Sequence, residues 1–217
     1  ADYRVLERHG TRPDASVADA KSAMRHVRAN AARLGIDPNR IAASGGSSGG
    51  FLAAALATLD GLDDPGDDLS VSANPNALVL FNPGLVSADI PGKIELGEER
   101  HKTDEFSIAI SQGEWGGSTP LESVSPYHNV KLGIAPAIIF HGTGDTRIPY
   151  QTAAVFWEKM QEESNRCELV GYDGAGHGFF NYGHEGNAAF ADTVNKMDAF
   201  LVSLGYLDGG PTPMHHK

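Results

Sequence analysis

Between residues 14 and 34, apolar side chains recur three and four positions apart, at Val17, Ala20, Met24, Val27, Ala31 and Leu34. That spacing predicts an amphipathic helix, opened after Pro13-Asp14 and stopped at Gly35. After the turn Asp37-Pro38-Asn39-Arg40 the period changes, and Ile41-Ala42-Ala43 predicts a short strand. Residues 51–57 are apolar nearly all round and rich in alanine, which predicts a buried helix. Ala77 to Phe81 is a continuous apolar run with Asn-Pro near both ends, the pattern of a parallel strand buried on both faces. Ala137 to Phe140 and Glu168 to Tyr172 predict two further strands, and helices are expected at about 150–163 and 187–203. Residues 2–6 read as a strand already under way. Residues 84–130 carry many Gly and Pro, weak periodicity and Trp115, and read as loops and short helices forming an excursion over the sheet edge. Strands alternate with helices and no internal repeat is visible, so the expected architecture is a parallel α/β sheet covered on both faces.

Composition narrows the function classes. The chain has 217 residues, 41% hydrophobic and 21% charged, which suits one globular domain over 1–217 and excludes disorder, collagen and coiled coil as descriptions of the whole. There are 17 Lys+Arg against 28 Asp+Glu, a formal charge of -11 with no basic cluster, so nucleic acid is not an expected partner. No apolar run approaches the roughly 20 residues needed to span a bilayer, so no membrane association is expected. One cysteine, Cys167, permits neither an intrachain disulfide framework nor a multi-cysteine zinc site. The nine histidines show no H-x-x-x-H spacing, so no metal is expected. The acidic stretch 60–68 lacks the alternation of a calcium loop and reads as a solvated turn.

The chemistry concentrates in Gly45-Gly46-Ser47-Ser48-Gly49, a G-x-S-x-G sequence. Such a match alone is weak in a glycine-rich chain. Its setting is the informative part, with a strand expected at 41–44, a sharp turn, and a helix expected over 48–59. A nucleophile elbow needs that order, so that its serine stands exposed at the strand's C-terminal end. The helix start would aim the Ser48 N–H at the reaction site, where it could hold a developing oxyanion. A phosphate-binding loop would instead require lysine after the last glycine, and Phe51 follows.

A serine hydroxyl needs a base, and the base an orienting acid. Asp145 comes five residues after the apolar run 137–140, and His177 five residues after 168–172 in a glycine-rich loop. Order and placement both fit a serine–acid–histidine set. His141 sits at a strand end and reads as structural and hydrogen-bonded. His184 lies seven residues beyond His177, His101 and His128 precede the acid, and Asp173 shares a loop with His177 and would have to fold back on it.

Taken with Asp2-Tyr3-Arg4, Ala18-Asp19-Ala20, residues 34–41, Phe81-Asn82-Pro83, Ser125-Pro126-Tyr127, residues 141–145 and residues 176–181, these motifs make nearly the whole chain resemble the α/β-hydrolase family. Within it, the wording around Asp145 and His177 resembles bacterial carbohydrate esterases of the acetyl-xylan and feruloyl kind. The resemblance implies a serine carboxylesterase with Ser47, Asp145 and His177 as the triad and the Ser48 N–H in the oxyanion hole. It also implies a small-molecule or polysaccharide ester as substrate and no cofactor. A plant-polysaccharide substrate would suit a secreted or periplasmic enzyme, and the oligomeric state stays open. Two other readings are a peptidase of the prolyl-oligopeptidase kind and a hydrolase-fold module that binds without turnover. Similar enzymes begin with several more strands, the third carrying a His-Gly-Gly-Gly-like loop with further oxyanion donors. By that comparison a strand at 2–6 would leave a gap in mid-sheet, to be filled by upstream sequence or by a second chain.

Overall fold

Alternate residues of the two central strands bury their side chains on opposite faces of one sheet. In the computed structural model, which describes residues 2–95, 120–184 and 187–209, four parallel strands lie side by side in chain order. They are β1 (Ala42–Gly46), β2 (Ala77–Phe81), β3 (Ala137–Gly142) and β4 (Cys167–Tyr172). In register, Gly46 of β1 faces Phe81 of β2, Phe81 faces Phe140 of β3, and His141 faces Gly171 of β4. Leu78, Leu80, Ala137 and Ile139 form one core, while Ala77, Val79, Ile138 and Phe140 form another. Burial on both faces explains why these strands are apolar at every position and show no alternation.

The first core is closed by three helices, α2 (Pro13–Ala29) through Met24, α4 (Ser48–Thr58) through Ala53, Ala54 and Leu56, and α5 (Tyr150–Glu162) through Ala153, Phe156 and Met160. The second is closed by α6 (Ala188–Ser203), with Phe200, Met197 and Leu201 against the sheet. Phe51, Leu52 and Ala55 on the far side of α4 pack with Val17 of α2, so α4 is enclosed all round. Two short helices complete the set, α1 (Leu6–His9) and α3 (Ala31–Leu34).

The helix expected over 14–34 is interrupted. Asn30 closes α2 by donating from its backbone N–H and its Nδ2 to His26 O, and Gly35, at φ +68°, ends α3 in the left-handed region.

The strand expected at 2–6 does not form. Residues 2–5 have no regular structure and α1 follows. The backbone groups a strand would offer are taken by side chains, mostly of α2. Asp19 Oδ2 accepts the Arg4 N–H at 2.7 Å, Ser16 Oγ donates to Arg4 O at 2.6 Å, and His9 Nδ1 accepts the Val5 N–H at 3.0 Å. The Arg4 guanidinium adds a clamp on Asp19 at 2.6 Å. With this segment outside the sheet, the expected mid-sheet gap does not arise among the described residues, and β1 is an edge strand with Ala42 and Ser44 exposed.

The acidic stretch 60–68 is also more than a solvated turn. Arg25 of α2 reaches Asp63 at 2.5 Å and Asp67 at 2.8 Å, and Ser22 donates to Asp67 at 2.9 Å. Buried Lys21 donates to the carbonyls of Leu59 and Gly61, and its burial lowers its ammonium pKa. Of the excursion expected at 84–130, residues 84–95 hold an Ile90–Ile94 bridge and residues 121–129 hold two short 3-10 helices. Residues 96–119, with His101 and Trp115, lie outside the described residues.

Candidate active site

All four strands end on the same side of the sheet, and each leads into a residue of interest there: Ser47, Asn82, Asp145 and His177. After β1, Ser47 takes φ +55° and ψ -121°, a backbone conformation that is costly for any residue but glycine. The surrounding hydrogen bonds enforce it. The Ser47 N–H donates to Phe81 O at 2.9 Å, one step past the end of the ladder, and Ser47 O accepts from the Phe51 N–H at 3.0 Å. The turn is tight enough that a Cβ on Gly45 would lie 2.4 Å from the carbonyl carbon and oxygen of Gly49. A Cβ on Gly49 itself would meet nothing within 4 Å. Of the motif's two glycines, only the first is demanded by close approach. Ser48 heads α4, so its N–H is one of the first-turn donors that no carbonyl of the helix can reach.

The loops after β3 and β4 are joined backbone to backbone. Thr143 N–H donates to Tyr172 O at 2.8 Å, Gly144 N–H to Ala175 O at 3.0 Å, and Gly174 N–H to Thr143 Oγ1 at 2.8 Å. The approach is so close that a Cβ on Gly142 would stand 2.1 Å from Ala175 O. This seam carries Asp145 and His177 into contact, with His177 Nδ1 at 2.8 Å from Asp145 Oδ2. A carboxylate accepts only, so Nδ1 bears the hydrogen and Nε2 is left with a lone pair. Asp145 Oδ1 accepts the Arg147 and Ile148 N–H groups at 2.8 and 3.0 Å. Burial works to raise the Asp145 pKa, but the nearby His141 ring and the hydrogen bonds from His177 and the Ile148 N–H outweigh it. They hold the carboxyl well below the usual carboxylate range. The group is an anion at any pH where a histidine can act as a base.

An aromatic contact ties the base loop to the elbow. The Phe180 ring stands over Gly46, where an added Cβ would be 2.7 Å from its Cζ, and it lies 4.8 Å from the Phe81 ring, centroid to centroid.

The rivals separate cleanly. His141 is fully buried and donates from Nε2 to Ile148 O at 2.8 Å, the structural role expected of it, though Nε2 also lies 3.5 Å from Asp145 Oδ2. His184 is exposed, His128 is bonded to Ser125 Oγ, and Asp173 is exposed and accepts from Thr143 Oγ1 at 3.3 Å. One participant carried no role in the sequence reading. Asn82, at the end of β2, donates from Nδ2 to Asp145 Oδ2 at 2.5 Å. Its signal in the sequence is faint: an Asn-Pro step closing a buried strand, where asparagine tolerates a left-handed backbone.

A parallel sheet with a strained serine between β1 and α4, and a bonded acid–histidine pair after β3 and β4, has the build of an α/β-hydrolase. Residues 1–160 match the BD-FAE family, and the chain belongs to it. The chain is 30% identical over 187 residues to Esterase LipC of Mycobacterium tuberculosis, covering 82% of this chain and 44% of that protein. It is 26% identical over 217 residues to an acetylxylan esterase of Xylanibacter ruminicola, covering 98% of this chain and 38% of that one. The chain thus spans less than half the length of these curated relatives. Among solved structures, Thermogutta terrifontis esterase 2 phosphonylated by sarin superposes with a TM-score of 0.87 at 42% identity, covering 96% of this chain and 72% of that chain. The propionate-bound form of that esterase gives 0.83 at 45% identity, with the same coverage.

Proposed function

We propose that this chain forms, as one hydrolase domain, the catalytic part of a serine carboxylesterase that cleaves short-chain acyl esters, with acetyl esters of carbohydrates the first choice and feruloyl esters the second. The observation that carries the reading is the 2.8 Å Asp145–His177 pair, set at the same end of the sheet as a strained Ser47. The kinship with an acetylxylan esterase and with an esterase that binds propionate and butyrate supports a short acyl group on the substrate.

In this reading Ser47 Oγ attacks the ester carbonyl carbon while its proton passes to His177 Nε2. The negative charge gathers on the carbonyl oxygen, where the Ser48 N–H meets it; a donor of this kind is worth about two to three orders of magnitude in rate. Asp145 keeps His177 in the tautomer with a free Nε2 and stabilises the imidazolium. The tetrahedral centre collapses, the bond to the alcohol oxygen breaks, and the alcohol leaves with the proton from His177. Water then gives a proton to His177 as it attacks acyl-Ser47, the bond from the acyl carbon to Ser47 Oγ breaks as His177 returns that proton to Oγ, and the acid is released. Every step uses groups of this chain, the ester and water.

The test is a substrate panel of p-nitrophenyl acetate, p-nitrophenyl butyrate, methyl ferulate, acetylated xylan and a peptide p-nitroanilide, each run against the Ser47→Ala variant. The expected result is hydrolysis of the short esters that vanishes in the variant, with the anilide untouched. Preference for the anilide would establish a peptidase instead.

A further inference from the structure

Asn82 occupies its place at three separate costs. Its backbone sits at φ +40°, its side chain is fully buried, and its Oδ1 has no hydrogen-bond partner among the described residues. Orphaned buried acceptors are rare in native structures and call for an explanation. Flipping the amide would not cure this one, because it would turn a carbonyl oxygen onto an ionised carboxylate. The backbone gives no slack either, since the Asn82 N–H is hooked to Phe140 O at 2.9 Å. What the three costs secure is one donor, Nδ2, at 2.5 Å from Asp145 Oδ2.

We propose that Asn82 is a positioning residue for the acid–histidine pair: its amide fixes the rotation of the Asp145 carboxylate and draws charge from the oxygen that holds His177. The proposal rests on the reading of Ser47, Asp145 and His177 as the reacting set. The division of donors around Asp145 argues for it. Oδ1 is pinned by the Arg147 and Ile148 N–H groups of its own loop. Oδ2 takes His177 from the base loop at 2.8 Å and Asn82 from β2, with His141 of β3 further off at 3.5 Å and committed to Ile148 O. Asp173, the other acid of the base loop, is turned to Thr143 and solvent. Without Asn82 the carboxylate can pivot about its Oδ1 anchors and His177 pivots with it. Oδ2 also bears more charge, so His177 holds its ring proton more tightly.

Asn82→Leu removes the donor and keeps the branch at Cγ, with methyls bulkier than the amide. The expected result is a folded protein with kcat on p-nitrophenyl acetate reduced about tenfold or more and KM within about twofold, because positioning acts on the transition state more than on binding. The acid limb of kcat/KM moves to higher pH. The downfield Nδ1 proton resonance of His177, recorded in a Ser47→Ala background where no turnover is needed, moves further downfield. An unmoved resonance together with an unmoved acid limb overturns the proposal, whatever happens to kcat. If the leucine variant does not fold, Asn82→Ala decides, since it removes the donor and adds no bulk at this buried position. Its acid limb then moves to higher pH, and an unshifted one overturns the proposal. Failure of the esterase reading is a different result, a wild-type protein without ester hydrolysis, and the resonance shift still judges Asn82.

Discussion

The ionisation of Asp145 is a contest between burial, which opposes the charge, and the donors around it, which favour it; the donors prevail and hold its pKa below the usual range. The sign of the stability effect follows. On acidification the unfolded chain takes up this proton first, near the ordinary aspartate value of about 3.9, while the folded protein resists until lower pH. The stabilisation is complete above that value and is lost as pH falls through it toward the folded one. The wild-type unfolding free energy, from urea titrations, is therefore expected to drop more steeply between pH 5 and 3 than that of Asp145→Asn, by up to about 1.4 kcal/mol per pH unit. Parallel curves would contradict the assignment. At this scale the candidates Ser47, Asp145 and His177 stand out in the sequence because a short motif and the ends of apolar runs are local features of the chain, and the structure bonds two of them, Asp145 and His177. Asn82 does not stand out, because its meaning exists only once β2 and β3 lie side by side and bring together residues 63 positions apart.

Among the elements, the elbow shows how backbone contact rather than motif wording sets what a position tolerates. The backbone of Gly49 fills the space a Gly45 side chain would need, whereas Gly49 faces open space at a helical backbone angle. Gly45→Ala is expected to cost more than about 3 kcal/mol, since an overlap with backbone atoms cannot be relieved by a rotamer change. Gly49→Ala is expected to leave the melting temperature unchanged or raised, alanine being favoured over glycine in a helix by about 1 kcal/mol. Thermal melts of the two variants check this, and equal losses would contradict it. The apolar runs of β2 and β3 and the helical spacing of α2, α5 and α6 could be read from the chain because burial imposes them directly. The segment 2–6 was misread because its backbone groups are claimed by Asp19, Ser16 and His9, partners that no local pattern of residues 2–6 reveals. The acidic stretch 60–68 was misread for a similar reason, its carboxylates answering to Arg25 across more than thirty residues of chain.

For the molecule as a whole, strand order equals chain order, and four successive strands deliver Ser47, Asn82, Asp145 and His177 to one end of the sheet. This is the end at which open parallel sheets place their ligands, outside the carboxyl ends of the strands. Helices on both faces fix the strands, the strands fix the loops, and the seam between the β3 and β4 loops fixes the acid against the base. Everything in the functional reading depends on Ser47 being the nucleophile at the end of that chain of constraints. The direct measurement is intact-mass and peptide-mapping mass spectrometry after exposure to a fluorophosphonate, with Ser47→Ala alongside. A single adduct confined to Ser47 and absent from the variant is the predicted result, since a serine without an activating base does not react. No adduct, or one that persists in Ser47→Ala, would contradict the account.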